Sequence, residues 1–279
     1  MSPSLSARDS RSATSAVIAR LSCTVSLMRR AGLWVARWTD NNAIRDPSMG
    51  KRPHGANHVG TIGDMPDLPF DAQERLALCD LLDELGADAP TLIEGWAARD
   101  LAAHLVLRER DPVAGPCLVL PGPFGRFAEK RRATLAKQGE FARLVAKIRS
   151  GPPFGFFRIG WVRTYPNLNE FFVHHEDVRR ANGLAPRDTL TPAFQAALWR
   201  NTCRGGRYLS RRLRGAGLEI VWAGTDQHVT VRKAEPTARL RGMPGELLLF
   251  LFGRKAAAQV EVLGSAPAVA TVHATHFGM

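Results

Sequence analysis

A chain of 279 residues, 45% hydrophobic and 23% charged, is long enough to bury a substantial core, and its length fits one or two domains. No uninterrupted apolar stretch reaches the roughly 18–20 residues of a membrane-crossing helix, the longest run being Leu247 to Phe252, so an integral membrane protein is not expected. The formal charge of +12 invites a nucleic-acid or anionic-surface reading, but nine Arg and Lys against four Asp fall in residues 1–64, which leaves +7 on the other 215 residues.

Residues 1–64 are rich in Ser, Arg and Ala and show no sustained period of 2 or 3.6. Ala16 to Leu33 is mildly apolar, yet Arg20, Arg29 and Arg30 interrupt it and no small-residue cleavage site follows, which argues against an export signal. Met65 immediately precedes a well-patterned helix. Residues 1–64 are therefore expected to be a disordered extension, or the product of a start codon chosen upstream of Met65.

Leu76, Cys79, Leu82 and Leu85 recur every three residues, which predicts a first helix over Phe70–Leu85 stopped by Gly86. Pro90 to Trp96 is a connection, and Ala98 to Arg108 holds strong helix formers that end before Asp111 and Pro112. A Pro- and Gly-rich loop, Asp111 to Gly125, leads to one long amphipathic helix over Phe127–Arg149, broken by the cluster Gly151 to Gly155. A fourth helix spans about Asn167 to Asn182, with Gly183 as its C-terminal glycine. Four helices in this order suggest a bundle, followed by a further helix over Pro192–Leu213.

Beyond residue 213 the periodicity changes. Leu218 to Trp222 and Val229 to Arg232 flank Gly224, Thr225 and Asp226, a hairpin signal; Arg239 to Arg241 adds a short strand, Pro244 to Phe252 a helix ended by Gly253, and Gln259 to Leu263 a last strand. The expected organisation is a helical domain over 65–213 and a small α/β domain over 214–279.

The four cysteines, Cys23, Cys79, Cys117 and Cys203, are far apart and form no CxxC pair. Their sparseness fits a reducing cytoplasm. Cys79, inside an apolar helical pattern, reads as a small buried hydrophobe. The basic clusters Arg126 to Arg132 and Arg204 to Arg214 read as solvated helical faces without interleaved stacking residues, so a nucleic-acid partner is not expected.

The chemistry concentrates in Asn169 to Val178, NEFFVHHEDV. Glu170 and His174 are four apart and share one face of a helix, where carboxylate oxygen and imidazole nitrogen can converge on one ion. His104 is the candidate third ligand, because it lies on the second helix among Leu101, Ala102, Ala103, Leu105 and Val106, where an unpartnered polar ring would be costly. Bundle cores often host metals between facing helices. Taken singly, a helical histidine is more often an ordinary hydrogen-bonded residue, and His175, Glu176 and Asp177 compete for the role. Asp177, three residues after His174, is placed to orient a ligand imidazole, whereas Glu176 is expected on a solvated surface. Two His and one Glu suit zinc, although affinity order alone also admits nickel or copper. Arg108, one turn beyond His104, is the arginine best placed to meet an anionic substrate; its alternative is a surface salt bridge. No GxSxG, GxxxxGK or dinucleotide fingerprint is present.

The segments GWAARDLAAHLVLRERDP (Gly95 to Pro112) and NEFFVHHEDVRRANG (Asn169 to Gly183) resemble the metal-binding domain of the mycothiol-dependent maleylpyruvate isomerase family, part of the broad DinB-like group, and most closely an actinobacterial subgroup without an established reaction. The resemblance covers about residues 68–213, with Trp96, Asp100 and Leu101 matching its framing positions. It implies a mostly α fold, a DinB-like four-helix bundle with His104, Glu170 and His174 as metal ligands. RGMPGELLLFLFGR (Arg241 to Arg254) resembles the small sterol-carrier-like α/β domain that follows that bundle. It further implies a divalent metal, zinc by default, and mycothiol as thiol cofactor acting on an electrophilic substrate. Three functions stay open at this point: a thiol-dependent isomerase or transferase, a metal-binding protein without catalysis, and a basic nucleic-acid-associated protein.

Overall fold

The computed structural model describes residues 68–118, 120–153 and 155–278, so the expectations for residues 1–64 lie outside the described residues. Helix α1 (Phe70–Leu85) and helix α2 (Ala98–Arg110) form where the apolar spacing placed them. The short α3 (Ala114–Cys117) occupies the Pro- and Gly-rich stretch that the sequence suggested was a loop. The long third helix is in fact two, α4 (Pro123–Gln138) and α5 (Phe141–Arg149). They divide at Gly139, where an added Cβ would stand 2.6 Å from the Leu135 carbonyl oxygen, so the chain leaves the helix at the residue that has no side chain.

A single turn, α6 (Gly160–Val162), runs through a wide π-turn over Arg163–Asn167 into α7 (Leu168–Ala181). Pro166 supplies the cause: it has no N–H to donate and its ring crowds the preceding turn, so the helix opens there instead of continuing at normal pitch. Gly183, at φ +74°, ends α7, with Leu184 N–H donating to the Arg179 carbonyl. Helix α8 (Pro192–Leu209) starts on the Thr191 side chain, which accepts from Phe194 N–H, and stops short of the expected Leu213 because Ser210 caps the last turn through the Gly206 carbonyl.

In the bundle, α1 lies along α7, while α5 packs on both α1 and α2. The shared core is Leu78, Leu82, Leu101, Leu105, Leu144, Ile148, Phe171 and Val178. Cys79 is fully buried in it, and burial pushes its thiol up to about 12. Alkylation of Cys79 by iodoacetamide at mildly alkaline pH is therefore expected only after denaturant is added, as read by peptide mass spectrometry. Labelling of the folded chain at a free-thiol rate would mean that α1 opens.

The C-terminal part is a four-stranded sheet of order β2-β1-β3-β4, built from β1 (Gly217–Trp222), β2 (His228–Arg232), β3 (Thr237–Gly242) and β4 (Val260–Leu263). Strands β1 and β3 are parallel and the outer pairs antiparallel. Leu218, Ile220, Ala238 and Leu240 turn to a buried face, and on the other face Arg239 pairs with Glu219 at 2.6 Å and Arg241 with Glu261 at 3.2 Å across neighbouring strands. Helices α9 (Pro244–Leu251) and α10 (Ala266–Ala274) pack on β3. Leu248 and Leu249 of α9 join Phe172, Val173, Phe194 and Leu198 in a third core that unites the sheet's helix with α7 and α8. The architecture is mostly α with an α/β C-terminal part, and no helix among the described residues is long and apolar enough to cross a membrane.

Candidate metal centre

Helix α2 is buried around most of its circumference, with Leu101, Ala102, Ala103 and Leu105 all sealed in the core. Its start is fixed by Asp100, which accepts from Ala97 N–H and pairs with Arg132 at 2.6 Å. That anchoring sends His104 towards α7, one turn after the π-turn has set the rotation of Glu170.

There Glu170 Oε1 lies 2.9 Å from His104 Nε2 and 3.3 Å from His174 Nε2, and the donor atoms of the three residues all fall within 4.8 Å of one another. Ligand atoms held at about 2.0–2.2 Å around one tetrahedral ion stand roughly 3.3–3.6 Å apart, a spacing that the two measured pairs approach. The side chains of His104, Glu170 and His174 are largely buried, at 15%, 12% and 10% exposure. His104 Nδ1 is buried with no hydrogen-bond partner among the described residues. The ring is held by packing instead, between Trp96 at 5.4 Å and the edge of His174 at 5.2 Å.

Burial alone would raise the Glu170 carboxyl, but the Arg108 charge and hydrogen bonds from both imidazoles hold it well below the usual carboxylate range. Burial lowers His104 and outweighs the pull of Glu170. It also acts on His174, where hydrogen bonds to Asp177 and Glu170 win and raise the ring above its ordinary value. An incoming divalent ion thus meets a carboxylate biased towards its ionised form, and competes with protons for the two imidazoles.

The neighbours of the three donors divide sharply. Asp177, fully buried, accepts from His174 Nδ1 at 2.9 Å, which turns Nε2 towards the cluster. Arg254, from the C-terminal part, grips the same carboxylate with Nε to Oδ1 at 2.8 Å and Nη2 to Oδ2 at 2.7 Å. His175 faces away, with Nδ1 3.0 Å from Glu74. Arg108 is mostly buried: Nη1 donates to Asn167 at 3.0 Å, Nε sits 3.6 Å from Glu170, and its plane lies over the Phe157 ring.

One expectation fails clearly. Glu176 is not on a solvated surface; it is 1% exposed, bonded by Arg180 Nε at 2.6 Å and Arg187 Nε at 2.7 Å. Arg187 also reaches Glu74, and Arg180 reaches Glu246 at 2.6 Å, so alternating charges run from α1 to α9. The reason is that α7 has no solvent side: α1, α8 and the C-terminal part cover it, and a carboxylate there needs cations. In the basic cluster Arg204, Arg207, Arg212 and Arg214 are exposed, but Tyr208 does interleave, with Arg211 stacked over its ring at 4.2 Å.

The sequence had suggested His104, Glu170, His174 and Arg108, and all four meet in one place. Arg254 was not anticipated, because the bond that gives it a role spans 77 residues. No family model and no curated protein matches the chain. Among solved structures it is similar to a mutant of mycothiol-dependent maleylpyruvate isomerase, at 11% identity and a TM-score of 0.48, over 71% of this chain and 92% of that one; this is a distant likeness of fold.

Proposed function

We propose that His104, Glu170 and His174 hold one divalent metal ion, zinc by the chemistry of the donor set, within a DinB-like four-helix bundle of residues 65–213 followed by a sterol-carrier-like α/β domain of residues 214–279. The observation that carries this reading is the convergence of three donor atoms from two helices within 4.8 Å. Three protein donors, one short of the four of a structural site, are the usual number at a catalytic zinc.

The charges say what could enter. Glu170 and Asp177 balance Arg108 and Arg254, so a divalent ion adds a net positive charge of its own and the loaded centre favours an anion. When bound, the ion supplies a charge that lowers the pKa of a thiol to the thiolate form. Arg108, held between Asn167 and Phe157, is the arginine we assign to a carboxylate of the thiol or of its electrophilic partner. Glu170 and the two imidazoles stay as donors and move no proton once the site is loaded. The activity we assign is a thiol-dependent isomerase or transferase, with mycothiol as the thiol suggested by the sequence motifs and the cytoplasm as its setting.

The test is elemental analysis of untagged protein followed by a screen of electrophiles with mycothiol. One equivalent of zinc with thiol-dependent turnover is the expected result. Zinc without any turnover leaves a non-catalytic metal protein; no metal after zinc supplementation, with the fold intact, removes the reading.

A further inference from the structure

We infer that Arg254 is a positioning residue for the metal centre, so that the C-terminal part of the chain sets the geometry of a site whose ligands all lie in the bundle. The inference rests on the metal reading above. Asp177 is fully buried, and a carboxylate in that position needs both oxygens satisfied. His174 donates to Oδ2, and the Arg254 fork donates once to each oxygen. The fork fixes the carboxylate plane, the plane fixes the His174 ring, and the ring directs Nε2 to the cluster with its proton on Nδ1.

The local backbone shows why Arg254 can be so exact a partner. Helix α9 ends on Gly253 at φ +91°, with Gly253 N–H donating to Phe250 O at 2.9 Å and Arg254 N–H to Leu249 O at 3.0 Å. This paired closure needs a residue free to adopt positive φ, and it turns the next residue back across the helix end. Arg254 Nη1 is further tied to Phe252 O at 2.8 Å. The guanidinium is thus anchored to a helix buried in the third core, and the Arg180–Glu246 pair holds that helix to α7 independently of any ligand.

That second pair provides the control. In the full-length chain, Arg254→Ala is expected to weaken zinc binding by about 10–100-fold in competition with a chromophoric chelator, and to change the visible absorption of the cobalt-loaded protein. Glu246→Gln loosens the same junction without touching a ligand's partner and is expected to stay within about twofold of the native affinity. Arg254→Lys, with charge but no fork, should recover part of the loss. Should Arg254→Ala fail to fold by circular dichroism, Arg254→Gln carries the same expectation. Native affinity and an unchanged cobalt spectrum in the folded Ala or Gln variant would overturn the inference, as would an equal loss in Glu246→Gln. If the native chain binds no metal at all, the metal reading fails but the positioning does not escape test. Nitrogen-15 shifts of the His174 ring, taken where it is neutral, must then report Nδ1–H in the native chain and a mixture of tautomers in Arg254→Gln; the same tautomer in both refutes it.

Discussion

Glu170→Ala is expected to leave the chain without measurable zinc under conditions where the native protein holds one equivalent. Loss of a donor should exceed the roughly 10–100-fold cost of losing a residue that only orients one, which puts it at about a thousandfold in affinity, or about 4 kcal/mol. The effect should exceed that of losing either histidine, because Glu170 carries the only negative charge among the three donors and touches both imidazoles. Glu170→Gln separates charge from shape: it keeps an oxygen donor and the side-chain volume, and should still lose most of the affinity. Thermal melts in chelator control for folding. Retention of zinc by both variants, with native melts, would mean that the ion sits elsewhere.

The largest expected effect on stability belongs to a different pair. Arg75 and Glu109 are joined by two bonds of 2.5 and 2.7 Å at 5% and 2% exposure, with Arg75 also donating to Ile148 O and lying over the Phe171 ring. Glu109→Ala strands the arginine charge in the bundle core, at a cost of about 3–5 kcal/mol. For a chain of this size that corresponds to a fall of roughly 10 °C in Tm. The double variant Arg75→Met with Glu109→Leu should recover most of the loss, since burying a pair costs almost as much as it returns. Equal melting of the single and double variants would show instead that the damage comes from lost packing.

How much of this was legible in the sequence differs from residue to residue. Glu170 and His174 could be read because the helix itself brings residues four apart to one face, which is local geometry. His104 was marked by its apolar neighbours, which forbid an unpartnered ring. The division at Gly139 had its signal in a single glycine within an otherwise amphipathic run, too weak against that pattern to be read as a break. The start of helix α10 is marked only by Ser265 and Pro267. The burial of Glu176 was hinted at by Arg180 four residues on, but its real determinant is the loop residue Arg187, which no periodicity places. Arg254 lies further still from local rules. Its meaning depends on how α9 docks, and docking is a property of the assembled cores.

The alternating chain of Glu74, Arg187, Glu176, Arg180 and Glu246 bears on how this strongly basic protein can be handled. Salt at 1 M shortens the Debye length to about 3 Å and releases polyanions from exposed arginines such as Arg204, Arg207, Arg212 and Arg214. Buried pairs at 2.6–2.7 Å are screened far less. A concentrated-salt wash should therefore strip loosely associated ions and nucleic acid from the surface while the junction between bundle and sheet stays closed. Whatever metal survives that wash is the metal that the interior holds.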